Sequence, residues 1–179
     1  PSINYLKTSG GIFKDMMIHD FDLARYYAGK DEFDSIFATG SNLYDKKFNK
    51  IKDFELASCV LKTKKGIQCI ITNSRHCSFG YDQRVELFGT KGMLISDNKR
   101  ETETKIYSRN STNSKSKLLN FFIERYSEAY KLQLEDLFMM CSKNLKPLAN
   151  FEDGRKSLAL AQKAMKSIKS KKFEKINLT

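Results

Sequence analysis

FELASCVLKTKKGIQCIITNS, residues 54–74, is the segment from which the architecture can be read. Two runs rich in β-branched and apolar residues, Phe54 to Thr63 and Ile67 to Ser74, flank Lys64-Lys65-Gly66. That composition predicts an antiparallel hairpin. In the second run Ile67, Cys69 and Ile71 point to one face and Gln68, Ile70 and Thr72 to the other. Alternation is incomplete, so one face of the sheet is expected to lie under helices. The other is a candidate for subunit contact or for cover by another part of the chain.

Outward from this hairpin, Ser35 to Ser41, Gln83 to Phe88, Met93 to Ser96 and Lys105 to Tyr107 read as further strands, with Gly89-Thr90-Lys91-Gly92 as a second turn. The polar stretch Asn110 to Lys117 reads as an exposed loop. Upstream, Ser9-Gly10-Gly11 is a flexible lead-in to one helix carrying Ile18, Phe21 and Ala24 and stopping at Gly29. Downstream, Phe122, Tyr126, Ala129, Tyr130, Leu134, Leu137 and Phe138 keep helical spacing before Pro147, and a further helix runs from about Glu152 to Ile168 with Asp153 near its start. The tail from Lys172 to Leu178 suits an edge strand. The order helix, strands, helices predicts an α+β fold: an open, predominantly antiparallel β-sheet with helices packed on one face.

A chain of 179 residues with 40% hydrophobic content suits one domain, or one plus an appendage. Opening on Pro1, it reads as a fragment or a processed product. No apolar run approaches the ~18 residues of a spanning helix, and no signal peptide is visible, so no membrane partner is expected. The four cysteines form no CxxC pair and have no histidine at zinc spacing, so no metal site is expected; Cys59 and Cys69 read as small core hydrophobes. The net charge of +11 raises nucleic acid as a partner, yet the lysines are dispersed. Lys163, Lys166 and Lys169 oppose Leu158, Ala161, Met165 and Ile168, which is a solvated helix face, and Lys46 to Lys50 reads as a loop. No nucleic acid is expected. Neither GxGxxG nor a P-loop is present, so no nucleotide site is visible.

Chemistry is concentrated in GGIFKDMMIHDFDLAR, residues 10–25. Asp15 and His19 stand four residues apart, which on one helix stacks their side chains about 5–6 Å apart at Cβ. A carboxylate beside an imidazole orients the ring and supports its charged form near neutral pH, so the pair is a candidate for proton transfer. The same spacing also fits a helix with an N-terminal acid and a satisfied histidine one turn later. His76, among polar residues, reads as a surface histidine.

Three blocks then carry a resemblance: GGIFKDMMIHDFDLARYYAG, NSRHCSFGYDQRVELFGTKGML from Asn73 to Leu94, and FFIERYSEAYKLQLEDL from Phe121 to Leu137. With EDGRKSLALAQKAMKS from Glu152 to Ser167, they resemble in order and spacing the C-terminal domain of inositol 2-dehydrogenases, in the family that also contains glucose–fructose oxidoreductase. The resemblance implies that residues 1–179 are a C-terminal substrate-binding, catalytic and oligomerisation domain. An N-terminal Rossmann domain, with its NAD-binding fingerprint and an EKP-type lysine, then lies outside this chain, which alone is expected to be inactive. It implies oxidation of a small cyclic polyol, myo-inositol or a close relative, to a 2-keto product by hydride transfer to NAD, with His19 as general base. Asp15 is then paired with the lysine and helps orient the reacting hydroxyl, and Asp22 and Tyr81 meet substrate hydroxyls. A homo-oligomer through the sheet face and a cytoplasmic location complete the expectation. The alternative is a truncated, non-enzymatic domain kept for oligomerisation or polyol binding.

Overall fold

The computed structural model describes residues 1–178, which form two compact units, residues 1–76 with 148–178, and residues 77–147. The first contains α1 (Ile3–Thr8), α2 (Ile12–Asp15), α3 (Met17–Ala28), β1 (Phe33–Ser41), α4 (Lys47–Lys50), β2 (Leu56–Thr63), β3 (Gln68–Ser74), α7 (Phe151–Ser170) and β8 (Glu174–Lys175). The second contains β4 (Val85–Gly89), β5 (Gly92–Ser96), β6 (Lys105–Ser108), β7 (Ser111–Lys115), α5 (Phe122–Arg125) and α6 (Ser127–Lys143).

In the first unit the sheet has the order β3-β2-β1-β8 with every neighbour antiparallel. Register explains its two faces. Ala38 opposes Cys59, which opposes Ile71, and Ile36 opposes Leu61, which opposes Cys69. This row meets Ile12, Phe13, Met17 and Phe21 from α2 and α3 and Leu160, Ala161 and Ala164 from α7 in one buried core. The offset row, Phe37 opposite Val60 opposite Ile70, lies on the other face, where Ile70 stays 74% exposed. The expected hairpin, edge strand and helix-covered face are all present in this unit. Burial pushes the Cys59 thiol up to about 12 and the Cys69 thiol up to about 11, so both behave as core hydrophobes rather than nucleophiles.

Helix α7 starts in a capping box: the Asn150 side chain accepts from the Glu152 N–H at 2.8 Å while Asp153 accepts from the Asn150 N–H at 3.0 Å. Its small residues allow a close approach to β1. Because β8 pairs with β1 only at Ser35 and Ile36, the Ala38 N–H has no strand partner on that edge. The fully buried Ser167 hydroxyl accepts from it at 3.0 Å and donates to the Lys172 carbonyl at 2.7 Å. Lys166 pairs with Glu174 at 2.8 Å, so the basic face of α7 is solvated and locally neutralised.

Several expectations need correction. The helix foreseen between Gly10 and Gly29 is broken at Met16 into α2 and α3, and α1 precedes it. The lead-in is not flexible, since Gly10 and Gly11 hold φ of 87° and 85°, and a Cβ on Gly11 would sit 2.9 Å from the Asp53 carboxylate. The stretch 46–50 is a helical turn around fully buried Phe48 rather than a loop. The stretch 110–117 contains β7, whose Ser- and Asn-rich pairing with β6 leaves both faces polar and so gives no period-two signal. The strands do not form one sheet: β4–β5 and β6–β7 are separate two-stranded ribbons. In the second unit α6 has no buried residue, and its Leu134 and Phe138 are exposed.

His76 is also not a simple surface residue. Its ring packs against Tyr44 at 4.6 Å between centroids, and Nε2 lies 3.9 Å from Glu55. Glu55, itself buried, gathers the backbone N–H groups of Leu43, Tyr44 and Asp45 at 2.5–2.7 Å. Burial opposes its charge, yet these three donors outweigh it and hold its carboxyl below the ordinary value of 4.5.

Two outcomes follow. Ser167→Ala leaves the Ala38 N–H buried and unpaired, and a urea titration should show a loss of about 1–3 kcal/mol; an unchanged midpoint would refute the role given to the hydroxyl. Because the Glu55 carboxyl is depressed in the folded state, its stabilisation is present above 4.5 and lost as pH falls through the folded value. Unfolding midpoints measured from about pH 7 to about pH 3 should fall more steeply in the native protein than in Glu55→Gln.

Candidate functional site

The site is built where α2 begins. Gly11 has no side chain to cap the helix, and Asp53, just ahead of β2, serves instead: its Oδ1 accepts from the Ile12 N–H at 2.9 Å. Asp53 Oδ2 in turn takes one end of Arg75 at 3.3 Å. Arg75 directly follows β3, its backbone N–H donating to the Glu55 carbonyl at 2.7 Å, and its side chain is only 2% exposed. The other end of the guanidinium reaches Asp15 Oδ2 at 2.8 Å. Asp15 Oδ1 accepts from the Tyr5 phenol of α1 at 2.5 Å. This hydrogen bond, with burial and the nearby anionic charge, pushes the Tyr5 pKa up and keeps the phenol a donor.

Asp15 and His19 therefore lie on different helices, and the Asp15 carboxylate hydrogen-bonds Tyr5 and Arg75 rather than the imidazole. His19, in the first turn of α3, is exposed, and its ring makes no side-chain hydrogen bond among the described residues. The carboxylate that feels its charge is Asp20. Burial pushes the Asp20 pKa up, while a 2.9 Å hydrogen bond from Asn73 on β3 and the charge of His19 oppose that rise.

Asp22 faces α7. It accepts from Ser157 at 3.1 Å and lies 3.6 Å from Arg25, whose guanidinium also reaches Asp153 at 3.3 Å. About half of the Asp22 side chain is still exposed, leaving it a free lone pair for a further donor. Tyr81 belongs to the second unit. Its N–H donates to the Leu119 carbonyl at 2.8 Å, and its ring stands edge-on to Tyr126 with centroids 5.8 Å apart. Sequence reasoning missed Tyr5, Asp53 and Arg75, which converge from residues 5 to 75 without a shared motif. The nearest signal was Gly11, whose positive φ and close approach to Asp53 need a glycine.

No group of three or more His, Cys, Asp or Glu side chains able to hold a metal occurs among the described residues. A dinucleotide does not fit here either. The only glycine pair leading into a helix, Gly10-Gly11, opens onto four-residue α2, and the Asp53 carboxylate occupies the position where a phosphate would need N–H donors.

A family model described as GFO/IDH/MocA C-terminal domain matches residues 2–95. A myo-inositol 2-dehydrogenase of Thermotoga maritima is 41% identical over 98% of this chain and 52% of its own length. The solved structure of a myo-inositol dehydrogenase from Corynebacterium glutamicum superposes with a TM-score of 0.94 at 38% identity, covering 99% of this chain and 53% of that one. A scyllo-inositol dehydrogenase from Lactobacillus casei, solved with bound NAD(H) and scyllo-inositol, shares the fold with a TM-score of 0.83 at 23% identity over 94% of this chain and 49% of that one. The chain thus spans about half the length of the curated relatives it matches. With a model covering more than half of its residues and a relative aligned almost throughout, the chain belongs to the GFO/IDH/MocA oxidoreductase family, as a C-terminal domain related to those of the inositol dehydrogenases.

Proposed function

We propose that this chain is the substrate-binding and catalytic half of an NAD-dependent enzyme that oxidises myo-inositol, or a close cyclic polyol, to its 2-keto product. The observation that carries the reading is the exposed, unbonded imidazole of His19 at the start of α3, beside an α2 whose Asp15 is held fixed. A secondary alcohol loses a proton from oxygen as hydride leaves carbon, and an exposed imidazole nitrogen that makes no hydrogen bond among the described residues suits the first task. A nicotinamide carried by a dinucleotide-binding half supplies the hydride acceptor.

Asp15, anchored by Arg75, orients the reacting hydroxyl and meets the lysine of the other half. Asp22 pairs with a further hydroxyl of the ring. An acceptor left without its hydroxyl donor is penalised, so such groups select a polyol over a less hydroxylated ring. The outer row Phe37, Val60 and Ile70 supports a homo-oligomer through the sheet face. The four free cysteines support a reducing, cytoplasmic setting.

The test is an assay of the full-length protein with NAD and myo-inositol. His19→Ala should lower kcat by about 10²- to 10⁴-fold with NAD affinity unchanged, while Asp22→Asn should act mainly on KM. Full turnover by His19→Ala would remove the base from the mechanism. For the assembly, Ile70→Lys should shift sedimentation toward smaller species, and an unchanged profile would exclude the sheet face.

A further inference from the structure

The buried guanidinium beneath Asp15 lies in the block Asn73 to Leu94 but is given no role by it, and its geometry divides the work of that carboxylate. Arg75 spends one terminal nitrogen on Asp15 Oδ2 and the other on Asp53 Oδ2, with its side chain 2% exposed. Asp53 spends its second oxygen on the Ile12 N–H at the start of α2. The same Arg75 therefore fixes both the carboxylate of Asp15 and the helix that carries it. Oδ1 is different. Among the described residues it meets only Tyr5, whose side chain extends from the six-residue α1 and which is 49% exposed.

We propose that Arg75 is a positioning residue of the polyol-oxidising site, holding Asp15 by Oδ2 so that Oδ1 alone is presented to a substrate hydroxyl. The inference rests on the function proposed above. Tyr5 marks the direction in which Oδ1 accepts: a phenol O–H donates to it as a polyol hydroxyl would, and an exposed side chain can be displaced where a buried one cannot. A fixed acceptor matters because the rate of an oriented reaction falls steeply with small misplacements of the groups that align it. Lysine cannot replace arginine here without loss, since a point charge cannot bridge two carboxylates as a planar fork does.

The experiment uses the full-length enzyme and compares Arg75→Gln, Arg75→Lys and Asp15→Asn for kcat, KM, NAD affinity and thermal midpoint. Arg75→Gln should lower kcat per folded site by about 100-fold, with NAD affinity unchanged and KM for myo-inositol moving much less. Arg75→Lys, which keeps the buried charge balance, should recover about tenfold of that loss without reaching the native value. If the glutamine variant does not fold, the lysine variant decides alone: an intermediate kcat at native NAD affinity supports the role, and native kcat overturns it. A purely structural arginine would lower the thermal midpoint and the active fraction while leaving kcat per folded site intact, which also overturns it. Full activity of Asp15→Asn, or no polyol oxidation by the native enzyme, overturns the functional reading and this inference together. An inactive Asp15→Asn beside fully active Arg75 variants overturns this inference only.

Discussion

The Asp15–Arg75–Asp53 bridge is the interaction around which the first unit is arranged. Two carboxylates and one guanidinium sit at 15%, 9% and 2% side-chain exposure, where an unpaired charge would be strongly penalised. Removing Arg75 strands both carboxylates, so the three positions are coupled although residues 15, 53 and 75 are far apart in sequence. The bridge also links different kinds of structure: the start of a helix, the approach to β2 and the exit from β3. The break at Met16 has its physical setting here. Ile12, Phe13, Met17 and Phe21 all enter the core, and Asp15 turns to Arg75 between them.

The loop ahead of β2 extends the same logic. Asn42 donates to the Asp53 carbonyl at 2.9 Å and accepts from the Glu55 N–H at 2.8 Å. Glu55 then organises residues 43–45 through their backbone donors, and its carbonyl receives the N–H of Arg75. A chain of buried polar groups, each with named partners, thereby runs from an exposed loop to Asp15. Within it the buried Arg75 Nε has no hydrogen-bond partner among the described residues. Fully buried Phe48 anchors this loop from the apolar side.

What the sequence made legible follows from the range of each interaction. The 54–74 hairpin, the edge strand and α7 are governed by local periodicity, turn residues and caps, and they appear where those signals stand. Serine- and asparagine-rich β7 carries no such signal, because its residues are polar at every position along the strand. His19 and Asp15 are singled out as candidates because chemistry-bearing residues stand out even in isolation. The break between them is not, since it depends on a carboxylate at position 53 and a guanidinium at position 75. Asp22 illustrates the middle ground: its place on α3 was expected, while its bond to Ser157, 135 residues away, is purely tertiary.

Charge, loud in composition, is informative only when resolved in space. The chain as a whole carries +11, yet the stretch around α2 and α3 gathers Asp15, Asp20 and Asp22, with Asp53 behind them. Arg75 is shared by two of these carboxylates and Arg25 is engaged by Asp22, Glu32 and Asp153. A phosphate or a nucleic-acid backbone would be repelled by these carboxylates. A neutral polyol faces no such repulsion, because each hydroxyl can donate to a carboxylate and accept in return. The local excess of acceptors in a basic protein thus fits the uncharged, hydroxyl-rich ligand proposed above better than an anionic one.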